Sequence, residues 1–155
     1  MRITILSVGK VRQEFVLSGE REYLQRITSG LKVELLELGL DSPDSLSIDE
    51  TREREATSIQ RKTTNFDYLI ALDERGKQVS SEAFKSVLEA RMNAGSKHVC
   101  FLIGGAYGLA ERIRQSASYV LSLSALTFPH QLTRLILVEQ IYRAQTMMKG
   151  VGYHK

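Results

Sequence analysis

The sequence predicts an α/β fold in which a mainly parallel sheet carries helices on both faces. Three observations predict it. Short runs rich in β-branched and aliphatic residues alternate with longer amphipathic ones. Their order is β-α-β-α-β-α-β-α-β-α, which implies a parallel sheet covered on two sides. Finally, 155 residues at 43% hydrophobic content suffice for a core that hides roughly 70% of the unfolded surface, so no covalent staple is required. No internal repeat, low-complexity tract or linker interrupts the pattern, and residues 1–155 read as a single domain.

The elements follow in chain order. Residues Arg2–Val8 (RITILSV), 33–38 (VELLEL), 68–72 (YLIAL) and His98–Ile103 (HVCFLI) read as strands, with 119–123 (YVLSL) as a shorter fifth. The segment 15–27 sets Phe15, Tyr23, Leu24 and Ile27 near one helical face, 48–62 is a highly charged helix, and Ser81–Asn93 spaces Phe84, Val87, Leu88 and Met92 helically before Gly95 stops it. The last helix, about 132–149, distributes Leu132, Leu135, Ile136, Leu137, Val138, Ile141, Ala144, Met147 and Met148 almost all round its axis. Only Glu139, Arg143 and Thr146 form a polar stripe. A terminal helix apolar on several sides needs more than one covering surface, so a homodimer is expected.

Composition excludes several classes. Cys100 is the single cysteine, which rules out an intrachain disulfide, and no Cys/His cluster stands at ligand spacing, so no metal is expected. No apolar run approaches the roughly 20 residues of a membrane span, and the first ten residues lack a signal peptide's apolar stretch, so the expected location is cytoplasmic. The net charge of +3 is uneven. Six acids between Asp41 and Glu55 against Arg52 and Arg54 leave that stretch at −4 and the remainder at +7. Such asymmetry permits a polyanionic partner; the acidic block itself reads as a solvated loop and helix start.

Three loops follow strands and converge on one sheet edge. Ile103-Gly104-Gly105-Ala106-Tyr107-Gly108-Leu109 follows the fourth strand and leads into a helix near Ala110. Glycines there let backbone approach a ligand, although a tight turn without ligand would use the same residues. Leu72-Asp73-Glu74-Arg75-Gly76-Lys77 follows the third strand and Leu123-Ser124-Ala125-Leu126-Thr127-Phe128-Pro129-His130 the fifth. Their convergence points to a small-molecule cleft. None holds a nucleophile paired with a base, a Walker lysine or a carboxylate pair, which weighs against hydrolase and kinase chemistry. The chain closes on Tyr153-His154-Lys155, by default a solvated tail, but one offering a ring able to stack and an imidazole able to take a proton.

Taken together, Val8-Gly9-Lys10, Leu72-Asp73-x-x-Gly76-Lys77, Ile103-Gly104-Gly105-x-x-Gly108-Leu109, the run Leu123 to His130, Glu139-x-x-Tyr142-Arg143-Ala144 and the terminal Tyr153-His154-Lys155 resemble the RlmH family. These are knotted, SPOUT-class methyltransferases of the bacterial large ribosomal subunit. The resemblance spans the chain and is poorest over 39–62. It implies a C-terminal deep trefoil knot, which no topology rule predicts from a strand pattern. It also implies S-adenosyl-L-methionine as cofactor, bound at Leu72, Gly104, Leu123, Ser124, Ala125, Leu126, Thr127 and Phe128. The implied reaction is methylation of N3 of a pseudouridine in helix 69 of 23S rRNA on the assembled ribosome. On the matching positions, His154 is the expected base, Arg143 the cation opposite developing negative charge, and Tyr153 the stacking residue.

Overall fold

The computed structural model describes residues 1–28, 30–39 and 45–150. It contains β1 (Arg2–Val8), α1 (Glu14–Arg26), β2 (Lys32–Leu38), α2 (Ile48–Thr63), β3 (Tyr68–Gln78), α3 (Ser81–Asn93), β4 (His98–Ile103), α4 (Glu111–Ser116), β5 (Tyr119–Ser122) and α5 (His130–Met148). The predicted order of elements holds throughout. Every strand pair is parallel and the sheet order is β2-β1-β4-β3-β5.

Alternation along the central strands assigns the two faces. Ile3 and Ile5 of β1 and Val99, Phe101 and Ile103 of β4 join a core with Phe84 and Leu88 of α3 and Leu137, Val138 and Ile141 of α5. The intervening Leu6, Val8, Cys100 and Leu102 pack with Ala56 and Ile59 of α2 and Ile113 of α4. Successive strand residues point to opposite faces, so a strand buried on both sides must be apolar at nearly every position, as β4 is. Local signals begin and end the helices. Ser47 accepts from the Glu50 backbone N–H while the Glu50 carboxylate accepts from that of Ser47, a reciprocal cap that starts α2. Gly95, at φ +75°, ends α3 in a conformation that side chains rarely adopt.

One strand departs from expectation. β3 does not end at Leu72: Leu72 and Lys77 both pair with Leu121 of β5, so Asp73 to Gly76 leave the sheet and return at the same rung. Gly76 makes this possible. A Cβ there would lie 2.6 Å from the Leu121 carbonyl carbon and 2.8 Å from the Val120 carbonyl, contacts against backbone that cannot move aside.

α5 lies across the sheet between α1 and α3. The predicted apolar circumference is interrupted at its buried face by polar groups, Arg134, Gln145 and Thr146, and Thr146 lies inside rather than on an outer stripe. Arg134 is 2% exposed. Its Nε and Nη2 donate to the two Glu20 oxygens of α1 at 2.6 and 2.8 Å, and Nη1 donates to Glu37 of β2 at 2.7 Å and to Ser7 of β1 at 3.3 Å. Burial alone would raise the Glu37 carboxyl, but Arg134 and the Val11 amide hold it below the ordinary glutamate value. Removing the cation strands Glu20 without its partner in the interior. Arg134→Ala is therefore expected to lower the unfolding free energy by about 3–5 kcal/mol, read from urea denaturation, whereas an exposed pair such as Arg21–Glu14 should yield under about 1 kcal/mol when broken.

Candidate functional site

β3 and β4 are neighbours, yet the chain leaves them toward opposite faces, to α3 on one side and α4 on the other. Divergent exits at the carboxyl ends of parallel strands open a crevice. Here it measures about 820 Å³, within the range of small-molecule sites. Its walls come from the three predicted loops. Leu72, Gly104, Leu123, Ser124, Leu126, Thr127 and Phe128 all line it, while Ala125 of the same run is exposed and off the wall. His130 and Thr133 of the first turn of α5 close one side.

The glycine loop is a tight turn. The Gly108 N–H donates to the Gly105 carbonyl at 3.0 Å. A Cβ on Gly104 would meet the Gly108 carbonyl carbon at 2.6 Å and the Leu109 nitrogen at 2.7 Å. Gly104 is thus required for the loop to close on itself, in addition to any approach by a ligand. Opposite, the Ser124 hydroxyl accepts from the Leu126 N–H at 2.9 Å and Thr127 donates to Glu74 at 3.1 Å, which ties the loop after β5 to the excursion from β3.

The rim is charged, through the predicted loop after Leu72 and through one residue from outside the three loops, Arg52. Asp73, Glu74, Arg75 and Arg52 line the cleft. Burial alone would raise the Asp73 carboxyl, but Arg75, which donates to it through its backbone and Nε at 3.0 and 2.9 Å, and nearby Arg114 hold it below the ordinary aspartate value. Arg52 belongs to α2 and donates from Nε to the Tyr107 carbonyl at 2.7 Å. The charged helix is therefore only partly the solvated element expected of it: Asp49 and Glu53 are open to solvent, but Glu55 is 7% exposed. No sequence signal marked Arg52 or Glu55, because a buried carboxylate in a charged run has the same periodicity as a solvated one.

Of the three residues expected to do chemistry, only Arg143 is among the described ones. Arg143 is on α5, 13 positions beyond His130, hence about 20 Å along the axis from the cleft wall, and it donates to Glu139 at 3.0 and 2.7 Å. Tyr153 and His154 fall outside the described residues. Cys100 is no alternative nucleophile, since burial pushes its thiol up to about 12. Among the described residues, no group of His, Cys, Asp and Glu could hold a metal, and no helix is long and apolar enough to cross a membrane.

A parallel sheet with a glycine-turn cleft at its carboxyl edge defines an α/β protein with a crevice of small-molecule size. A family model described as Predicted SPOUT methyltransferase matches residues 1–154, and the chain belongs to that family of methyltransferases. Proteins named ribosomal RNA large subunit methyltransferase H from Acetivibrio thermocellus, Enterococcus faecalis and Streptococcus agalactiae are 40%, 39% and 38% identical to it over the full length of both chains. Among solved structures, a probable methylase family protein from Haemophilus influenzae shares the fold at TM-score 0.62 and 14% identity, covering 99% of this chain and 70% of that one. A probable methyltransferase from Bordetella pertussis does so at 0.61 and 13%, covering 92% and 95%.

His130 gives the site a testable electrostatic property. Burial and the neighbouring Arg134 cation push its imidazole below the ordinary histidine value, which favours the neutral form. The unfolded chain takes up a proton near pH 6.5 while the folded one resists. Its contribution to stability is therefore complete above that value and lost as pH falls through it toward the folded pKa. Denaturation at pH 7.5 and 5.5 should show a drop in the wild type that is smaller in His130→Gln.

Proposed function

We propose that the protein is a cytoplasmic, homodimeric, S-adenosyl-L-methionine-dependent methyltransferase that methylates N3 of a pseudouridine in helix 69 of 23S rRNA on the assembled ribosome. The observation carrying this reading is the three-loop cleft, in a chain matched end to end by relatives named for ribosomal RNA methylation. Residues 1–155 act as one domain, with the trefoil knot of the family formed by the segment after β5.

The cleft fits the cofactor. Leu72, Ile103, Leu121 and Phe128 supply apolar wall for a purine, the turn at 104–108 brings backbone to the surface, and Asp73, Glu74 and Arg75 offer both signs of charge at the rim for a zwitterionic end. Leu72, Gly104 and the run from Leu123 to Phe128 are the proposed holding residues, Ala125 through its place in the loop. When bound, S-adenosyl-L-methionine supplies an electrophilic methyl group on a sulfonium.

The chain's own task is to make N3 a nucleophile. That nitrogen carries an imide proton, and His154 is positioned by this reading to accept it. Arg143 faces the negative charge that develops on the flanking carbonyl oxygens, and Tyr153 stacks on the target base.

Reach supports the dimer. α5 starts at the cleft, and its far end lies beside the amino edge of the sheet, where the Gln145 amide donates to the Thr28 carbonyl at 2.8 Å and the terminal amine of Met1 to the Gly30 carbonyl at 3.0 Å. Its 19 residues rise about 28 Å, whereas the chain from Lys149 to His154, fully extended, spans at most about 18 Å. That separation favours a reading in which His154, Tyr153 and Arg143 act on the cleft of a second copy.

Methyl-labelled S-adenosyl-L-methionine incubated with ribosomes lacking the modification should put label into 23S rRNA at that pseudouridine. Label in no rRNA, or in a different nucleotide, rejects the assignment. Light scattering should give twice the 17.5 kDa of one chain; a monomer at micromolar concentration would sink the shared site. Deleting Tyr153 to Lys155 should abolish methylation and spare folding and cofactor affinity. His154→Ala should still associate with ribosomes, its residual rate climbing with pH as the imide ionises unaided; a flat profile would remove His154 as the base.

A further inference from the structure

α2 reaches the glycine loop at two points. Arg52 Nε donates to the Tyr107 carbonyl at 2.7 Å. One turn on, the Glu55 carboxylate faces Gly105, whose amide draws its pKa down against burial, so close that a Cβ on Gly105 would lie 2.6 Å from Oε1 and 3.1 Å from Oε2. The carboxylate meets the base of the loop and the guanidinium its tip. Both groups belong to one rigid helix, and α2 is itself fastened to α4, the helix that the loop enters: Arg112 donates to the Glu53 carboxylate at 2.6 Å, to the Glu53 carbonyl at 3.1 Å and to Thr57 at 2.9 Å. The turn at 104–108 is thus held at its base by Glu55, at its tip by Arg52 and at its exit by Arg112.

The position of Glu55 is costly for stability. Burial pushes its carboxyl above the ordinary glutamate value, with the Gly105 amide and Arg52 pulling the other way. An apolar or small side chain there would avoid that desolvation. A buried carboxylate aimed at a single amide of the cofactor-side loop is a device for position.

We propose that Glu55 and Arg52 are positioning residues of the methyltransferase, a clamp from α2 that sets the shape of the glycine turn against which the cofactor rests. The proposal relies on the assignment of the cleft to S-adenosyl-L-methionine and adds residues from outside the three cleft loops. Glu55 acts through the Gly105 amide and Arg52 through the Tyr107 carbonyl.

The contact can be broken from either side. Glu55→Ala removes the acceptor and Glu55→Gln keeps one. Gly105 has no positive φ, so Gly105→Ala is allowed by the backbone and fails only against the Glu55 carboxylate. Hydrogen exchange on the cofactor-free protein should show the amides of 104–108 opening about tenfold faster in Glu55→Ala and near wild type in Glu55→Gln, the loss expected for a hydrogen bond to a charged group. Calorimetry should show S-adenosyl-L-methionine binding weakened about tenfold in Glu55→Ala and in Gly105→Ala, restored to within about threefold in Glu55→Gln, and no weaker in the double variant than in Glu55→Ala alone. The unfolding midpoint of Glu55→Ala should stay close to wild type, because a buried charge has gone with its bond.

Unchanged exchange and affinity in Glu55→Ala, a Glu55→Gln variant as impaired as the alanine, or additive losses in the double variant would each overturn the clamp. If Glu55→Ala fails to fold, Gly105→Ala against Glu55→Gln decides the same question. A wild type that binds no S-adenosyl-L-methionine rejects the cofactor assignment, and the exchange comparison then judges the hold on the loop alone.

Discussion

The interior guanidinium of Arg134 is the constraint on which the arrangement depends. It is bonded at once to α1, β1 and β2, three elements distant in sequence from α5. With both partners in place, α5 can occupy only one angle and one height on the sheet, because a slide of a single turn would leave the buried Glu20 carboxylate unpaired and pull the guanidinium away from Glu37. Everything at the amino end of α5 inherits that precision. Gln131 accepts from the Arg12 N–H at 2.9 Å, which fixes the loop after β1, and His130 stands at the cleft wall. Apolar packing from Leu137 to Ala144 provides the adhesion, but a greasy surface alone would permit neighbouring registers.

Much of this was legible in the sequence. The alternation of Ile3, Ile5 and Leu6, and of Val99 to Ile103, is dictated by burial on both faces, so strands and fold class followed from periodicity. The cleft was legible for the same reason: loops after parallel strands lie at one edge whatever their composition, and Leu72, Gly104 and most of Leu123 to Phe128 indeed share a wall. What escaped were interactions without a period. Arg134 sits next to the apolar run Leu135 to Val138 of α5, Glu55 in a charged helix, and neither pattern reveals a polar group whose partner is far along the chain. The end of β3 was misplaced because Asp73 to Gly76 carry turn chemistry, while the return to the sheet at Lys77 depends on Gly76 meeting the backbone of β5, a contact invisible locally.

Placing polar groups in the interior is a recurring choice here. Glu20, Arg134 and Glu55 are each nine-tenths buried or more, and in each case an apolar residue would fill the volume at lower desolvation cost. Their common property is direction. A leucine adheres to whatever surface is near, whereas a carboxylate facing one amide, or a guanidinium forked onto one carboxylate, tolerates little displacement. The sheet supplies stability, and these few charges supply the coordinates of α5 and the glycine turn.

The detour of β3 has a consequence for how the site can change. Because Leu72 and Lys77 meet the same residue of β5, the number of residues between them is uncoupled from strand register. An ordinary insertion in a strand reverses every later side chain, but one between Asp73 and Arg75 would lengthen only a surface arc, at a closure cost that grows slowly with length. The rim bearing Asp73, Glu74 and Arg75 is therefore a free parameter of the fold. Its length and charge can be rewritten by insertion or deletion while the hydrogen-bonded ladder beneath keeps its alignment, which makes it the natural place to graft new ligand contacts onto an unchanged scaffold.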